Sequence, residues 1–272
     1  MFMKTNNWEI VLLITLFGCT TNMMDNNGVL EESTFNLTIR EGTCFPDVKD
    51  KYVYPVKPGM KEWQQFKSYD DAVKACQLPG KVLKSISTPG LIDALIHAPL
   101  FASSGTLANC RGRCGWMGVY GQFNSAKELF QRKNAGNALI EYYKLIRYDC
   151  IESLIGKEPN MLDEVYKTHI YWCIDGLEFL FTMQEIIDNM SHEMKKEVVT
   201  AFWNNYKQYP VNYWRIILMA YVMLADHFDP IEKYSQENAE FKRAVLNTSY
   251  PSEMQVVLIE SFVKSYIIDK NN

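Results

Sequence analysis

From about residue 58 onward, apolar positions recur at helical spacing and are separated by short turn signals. Ser68 reads as an N-cap for YDDAVKACQL, with two Asp in the first turn, where the helix dipole favours them. Thr88-Pro89 opens a second predicted helix, in which Leu91, Ile92, Leu95 and Ile96 share one face until Pro99 ends it. Asn124 or Ser125 starts AKELFQRK, and Leu139, Ile140, Tyr143 and Ile146 mark a helix over 138–148. Residues 162–190 predict one long or broken helix, with Gly176 as the place for a kink. Ser191 caps a helix that Pro210 stops, and 211–227 is apolar nearly all round, the mark of a central buried helix. Asp229-Pro230 breaks the chain, and 236–246 and 252–268 supply the last two helices. Alternation is confined to FNLTIR (35–40) and KYVYPV (51–56). The expected fold is all-α: antiparallel helix pairs stacked as an irregular bundle or a short α-α superhelix, without a repeated sequence period.

One stretch departs from this pattern. Residues 103–122 (SSGTLANCRGRCGWMGVYGQ) hold five glycines between two helical regions and predict a long Gly-rich loop. Arg111, Arg113, Trp116 and Tyr120 are its candidate ligand-gripping residues; the competing expectation is a segment that merely crosses the surface. Cys110 and Cys114 frame Arg-Gly-Arg, where a local disulfide is favoured over a redox pair or a metal half-site. No CxxC or HxxxH follows to complete a zinc site, so no metal is expected.

The N-terminus carries a different pattern. Lys4 precedes an unbroken apolar run of eight residues, IVLLITLF (10–17), and Gly18-Cys19 follows directly. A membrane-spanning helix needs about 20 apolar residues, so this run reads as the core of a signal peptide. Leu16-Phe17-Gly18-Cys19 resembles the lipobox of bacterial lipoproteins. That resemblance implies cleavage before Cys19, palmitate-type acylation of its thiol and its new amino terminus, and a lipid anchor in the membrane. Thr20–Ser33 is polar, Asn-rich and without periodicity, as a flexible tether would be. By the same resemblance, Thr20 in place of an Asp favours the outer membrane, facing the periplasm or the cell surface. The expected organisation is a signal peptide over 1–18, a tether over 19–34 and one helical domain over 35–272, irregular at 35–58.

Composition adds little beyond globularity: 272 residues, 47% of them hydrophobic, with 28 basic against 32 acidic residues for a net charge of −4. That balance offers no general attraction to nucleic acid, which is not expected as a partner. Beyond Cys19, six cysteines allow 15 pairings, and Cys76, Cys150 and Cys173 lie in apolar helical contexts that favour buried free thiols.

Short catalytic signatures are missing. His192-Glu193 begins like a zinc-peptidase helix, but position 196 is Lys. GxSxG, P-loop and GxGxxG are absent, and no cofactor is expected. His97 and His169 sit on apolar helices as core histidines, although His169 and Cys173 share a face. In Asp226-His227-Phe228-Asp229 the His suits a helix C-terminus; acid/base or cation chemistry is the alternative. Trp203, Tyr206, Tyr209, Tyr213 and Trp214 gather around Pro210, where core packing is favoured over a sugar- or peptide-stacking surface.

Several stretches resemble a family of all-helical exported lipoproteins of Bacteroidota. They are YPVKPG (54–59) with Trp63, STPGL (87–91), APLF (98–101), and KELFQRK (127–133) with Ala135-Gly136. They are helix caps, turns and packing positions within 50–150, and no activity or catalytic residue comes with them. The expectation is an outer-membrane lipoprotein whose helical domain binds a glycan, peptide or protein partner without catalysis. The alternative is an envelope hydrolase acting on a polymer such as a glycan, with acids brought together by the fold.

Overall fold

The computed structural model describes residues 38–39, 44–101, 112–153, 161–208 and 213–268. Among them the fold is all-α, with fifteen helices and one two-stranded ladder. In chain order the elements are β1 (Thr38–Ile39), β2 (Pro46–Asp47), α1 (Lys61–Gln64), α2 (Tyr69–Ala75), α3 (Gly80–Ser85), α4 (Thr88–Ile96), α5 (Arg113–Tyr120), α6 (Asn124–Gln131), α7 (Ala135–Lys144) and α8 (Tyr148–Ser153). After these come α9 (Met161–Leu180), α10 (Gln184–Ile187), α11 (His192–Gln208), α12 (Tyr213–Ala225), α13 (Asp229–Glu237), α14 (Ala239–Leu246) and α15 (Glu253–Ile268). The stretch expected as one domain forms two compact units, each drawn from three segments of chain.

Of the described residues, the first unit takes 38–39, 44–101, 118–129, 145–153 and 161–176. Thr38 pairs antiparallel with Asp47, and Ile39 with Pro46. The other alternating stretch, 51–56, carries no strand; Tyr54 is buried and donates its hydroxyl to the Ala94 carbonyl at 2.9 Å. Ser68 caps α2 as expected, in a reciprocal box with Asp71. The α4 cap lies one residue earlier than predicted: the Ser87 hydroxyl accepts from the Gly90 N–H at 3.1 Å and donates to Asp50 at 2.7 Å. Gly90 is required there, because a β-carbon would strike the Asp50 carboxylate and the Ile86 side chain. Every residue of α4 is buried, so Thr88–Ile96 forms the centre of this unit. Asn124 clamps the N-terminus of α6 to the chain after α2, bonding both the N–H (2.9 Å) and the carbonyl (2.8 Å) of Leu78.

Of the described residues, the second unit takes 112–117, 130–144, 177–208 and 213–268. Its axis is α12, packed on by α11, α13, α14 and α15. Ile216–Met223 is buried on all sides, as an apolar helix without a polar face must be. Helix α9 continues through Gly176 without a break, and the long or broken helix expected over 162–190 is broken at 181–183, before α10. Asp229-Pro230 starts a helix of its own, with Pro in the first turn of α13, where its missing N–H costs nothing.

The expected Gly-rich loop is corrected in part. Residues 113–120 form α5 despite Gly115 and Gly118, because Trp116, Val119 and Tyr120 bury their side chains. Packing of one apolar face outweighs poor intrinsic propensity. Gly112 precedes this helix at φ +70°, with its α-carbon against the Thr248 backbone, where a β-carbon would lie 2.6 Å from the carbonyl oxygen. No helix among the described residues is long and apolar enough to cross a membrane.

Candidate functional site

Of the residues singled out in the sequence, Cys19, Cys110 and Arg111 lie outside the described residues. Arg113, Trp116 and Tyr120 do not form an open ligand-gripping lip. Arg113 donates from its Nε to the Thr182 carbonyl at 2.8 Å and from its backbone N–H to the Thr248 hydroxyl at 2.6 Å. Its guanidinium lies 5.4 Å from the centre of the Tyr221 ring. Trp116 is buried and stacks on Phe179 at 6.1 Å. Tyr120 is buried in the first unit and donates to the Gly176 carbonyl at 2.5 Å; burial holds its hydroxyl far above the usual titration range. Each of these side chains already serves to hold α5 in place.

The cysteines sort differently from expectation in one case. Cys150 is joined to Cys44 across 106 residues of sequence instead of standing free. Cys76 and Cys173 are the expected buried free thiols. Burial pushes the Cys76 thiol up to about 12, which makes it a poor nucleophile at neutral pH. Cys114 is disulfide-bonded, and its partner is not among the described cysteines.

The first unit gathers a polar cluster around Asp93, a fully buried carboxylate on α4. His97, one turn on, places its Nδ1 2.9 Å from the Asp93 carbonyl and 3.2 Å from the carboxylate. Lys51 approaches the same carboxylate at 3.8 Å, and Phe45 packs edge-on against the His97 ring at 4.7 Å. His169 on α9 is 9% exposed, and its Nδ1 has no hydrogen-bond partner among the described residues. Burial first, and the neighbouring His97 second, lower its pKa to about 4, so His169 is neutral at pH 7. His169 and Cys173, on one face of α9, do not make a metal site: Cys173 is a free thiol that donates to the Ile96 carbonyl at 3.2 Å. No group of three His, Cys, Asp or Glu among the described residues could hold a metal ion.

The second unit holds two polar clusters. Glu178 and Arg215 form a buried ion pair at 2.6 Å, and Tyr143 donates to the same carboxylate oxygen at 2.7 Å. Arg215, alone among the apolar residues that begin α12, is the signal that could have found this pair: a buried guanidinium requires a partner. The other cluster is centred on Asp226 at the end of α12. One of its carboxylate oxygens meets His192 Nδ1 at 2.6 Å and accepts from the Tyr266 hydroxyl at 2.5 Å. Lys195 approaches the other oxygen at 3.6 Å. Burial, and the hydrogen bond to Asp226, hold the Tyr266 phenol well above its ordinary range, so it acts as a fixed donor. The His192 side chain is 26% exposed. A carboxylate on Nδ1 fixes the ring and leaves Nε2 as the nitrogen for proton exchange with anything reaching that edge. Asp226 follows the end of α12, as its position in the sequence implies, and the histidine on its carboxylate is His192, which the sequence does not single out as its partner. His227 takes φ 56° as the turn after α12 and pairs with Glu232 at 3.2 Å.

Helices α11 and α15 also build an outer aromatic surface. Trp203 and Tyr206 are half-buried, with rings stacked 5.8 Å apart at 25°. Lys207 and Lys264 place their ammonium groups 5.5 Å and 5.7 Å from the Trp203 ring centre. Tyr206 donates to Glu260 at 3.2 Å, and Lys264 lies 3.9 Å from the other Glu260 oxygen. The core packing expected of this aromatic group is therefore incomplete at Trp203 and Tyr206. Trp214 is also half-buried, its ring tilted at 60° against the exposed Tyr250 with centroids 4.5 Å apart. Tyr209 and the Tyr213 side chain lie outside the described residues.

No family model matches this chain, and comparison with curated proteins and with solved structures finds no match.

Proposed function

We propose that this chain is an exported protein anchored through lipid on Cys19, and that its helical body binds a glycan, peptide or protein ligand without catalysis. The observation that carries the export is the Cys44–Cys150 disulfide, together with the bonded Cys114. Bonds of this kind persist in oxidising compartments and are rare where thiols are kept reduced. The apolar run at 10–17 followed by Gly18-Cys19 supports attachment by lipid, and Thr20 supports the outer membrane as its place. The half-buried aromatic surface on α11 and α15 supports ligand binding. Fractionation tests the anchor: the natural chain partitions with membranes and its N-terminal peptide carries acyl chains by mass spectrometry, whereas Cys19→Ser partitions with soluble protein. An unacylated N-terminus on the natural chain sinks this part of the reading.

A second reading, a polymer hydrolase, is favoured by the His192–Asp226 pair, which has the form of an oriented general acid/base. It requires turnover of an envelope glycan or peptide that His192→Asn abolishes while the fold survives. Turnover unchanged in that variant removes the pair from the chemistry.

A further inference from the structure

The outer face shared by α11 and α15 carries a specific combination of groups, and its meaning rests on the binding reading above. Trp203 and Tyr206 present stacked rings that the core leaves half-covered. Tyr206 stacks on the Trp203 ring, and where a lysine ammonium gives way the indole offers a partner to the C–H face of a sugar ring, because its quadrupole attracts weakly positive hydrogens. Two ammonium groups, each within 6 Å of that ring centre, lie at most about 11 Å from one another. The Lys264 side chain is 60% exposed, so its contact with the ring is weak and easily exchanged for another partner. Glu260 adds one acceptor, engaged by Tyr206, that could take a sugar hydroxyl.

From this geometry we infer that the Trp203 surface is a binding site for an acidic saccharide: a sugar ring stacks on the indole while its carboxylate or sulfate meets Lys207 and Lys264. Neutral sugars use the ring but bring no anion to Lys207, and leave Lys264 with Glu260 alone. A flexible acidic peptide pairs the cations but brings no rigid C–H face to the ring. Specificity therefore comes from the two features together, separated by the few ångströms that part a ring from its own substituent.

The experiment is isothermal titration of the full chain in detergent with four probes: a galacturonate trisaccharide, a sulfated trisaccharide, a neutral trisaccharide of the same length, and an oligoglutamate peptide. One or both acidic saccharides bind, at least about tenfold more tightly than the neutral one and the peptide. Which of the two binds better identifies carboxylate or sulfate as the natural anion. Trp203→Ala weakens that binding by about tenfold or more, and Trp203→Phe, which keeps a flat ring, retains most of it. Lys207→Gln with Lys264→Gln brings the acidic saccharide down to the neutral one and flattens its salt dependence. Equal binding of neutral and acidic saccharides overturns the inference, as does a peptide that binds as tightly as the saccharide. Circular dichroism establishes that the alanine variant is folded, and an unaltered affinity in that folded variant also overturns it. Saccharide binding that survives Trp203→Ala refutes this site while the binding reading stands. The binding reading itself falls only if a wide panel of glycans and peptides also produces no shift in the melting temperature.

Discussion

Acidification should destabilise the first unit through one side chain, His169. Its folded pKa of about 4 lies below the ordinary 6.5, because burial, and then the neighbouring His97, penalise the imidazolium. The unfolded chain therefore binds a proton between these two values that the folded chain refuses. Stability is thus fully present above pH 6.5 and falls as the pH drops toward 4. Each pKa unit is about 1.4 kcal/mol, so the whole window is worth about 3 kcal/mol, of which about 2 kcal/mol is lost between pH 7.5 and pH 5. Exposed carboxylates with lowered pKa values, such as Asp71 and Asp149, also lose their contribution in acid, so the natural chain alone does not isolate the histidine. The informative comparison is with His169→Gln, which keeps a polar side chain of similar reach and cannot titrate. Urea unfolding followed by circular dichroism is measured for both proteins at several pH values. The variant starts from a different baseline at pH 7.5, but its loss down to pH 5 is smaller by about 2 kcal/mol. Two profiles that fall in parallel would refute the reasoning, since His169 would then titrate alike in the folded and unfolded chains.

Three other perturbations follow from the packing. Cys44→Ser with Cys150→Ser opens a loop of 106 residues and should cost about 2–5 kcal/mol, read as a lower urea midpoint that reductant no longer shifts by way of this bond. Glu178→Leu leaves the Arg215 guanidinium buried without its carboxylate and should cost about 3–5 kcal/mol. Glu178→Leu with Arg215→Met removes both charges and should cost less than that single change; a double variant that merely sums two large losses counts against the pairing. Gly112→Ala places a side chain at positive φ against the Thr248 carbonyl and should lower stability by at least about 1–2 kcal/mol, visible as a fall in melting temperature.

Much of the architecture was legible because helices write their burial into local spacing. The Ser68 cap, the start of α6 at Asn124 and the all-apolar α12 follow from residues within one or two turns of one another. The polar clusters around Asp226 and Glu178 were not legible, since each is made by residues distant in the chain. His192 meets Asp226 across 34 positions and Asp226 meets Tyr266 across 40, and no spacing rule links them. His227, the neighbour of Asp226 in sequence, takes positive φ in the turn after α12 and pairs with Glu232 instead.

The Gly-rich segment draws the same line from the other side. Taken alone, Gly112, Gly115 and Gly118 describe a loop, since glycine pays the largest entropic cost in a helix. The helix forms because Trp116 and Tyr120 find buried places, a gain that exists only once other helices are there to receive them. By itself, the sequence determined the helical class and the approximate course of the longer helices, which depend on neighbours along the chain. Tertiary structure alone decided which cysteines pair, which charges are buried together and which aromatic rings stay half-exposed, because those outcomes turn on distances in space that linear order does not encode.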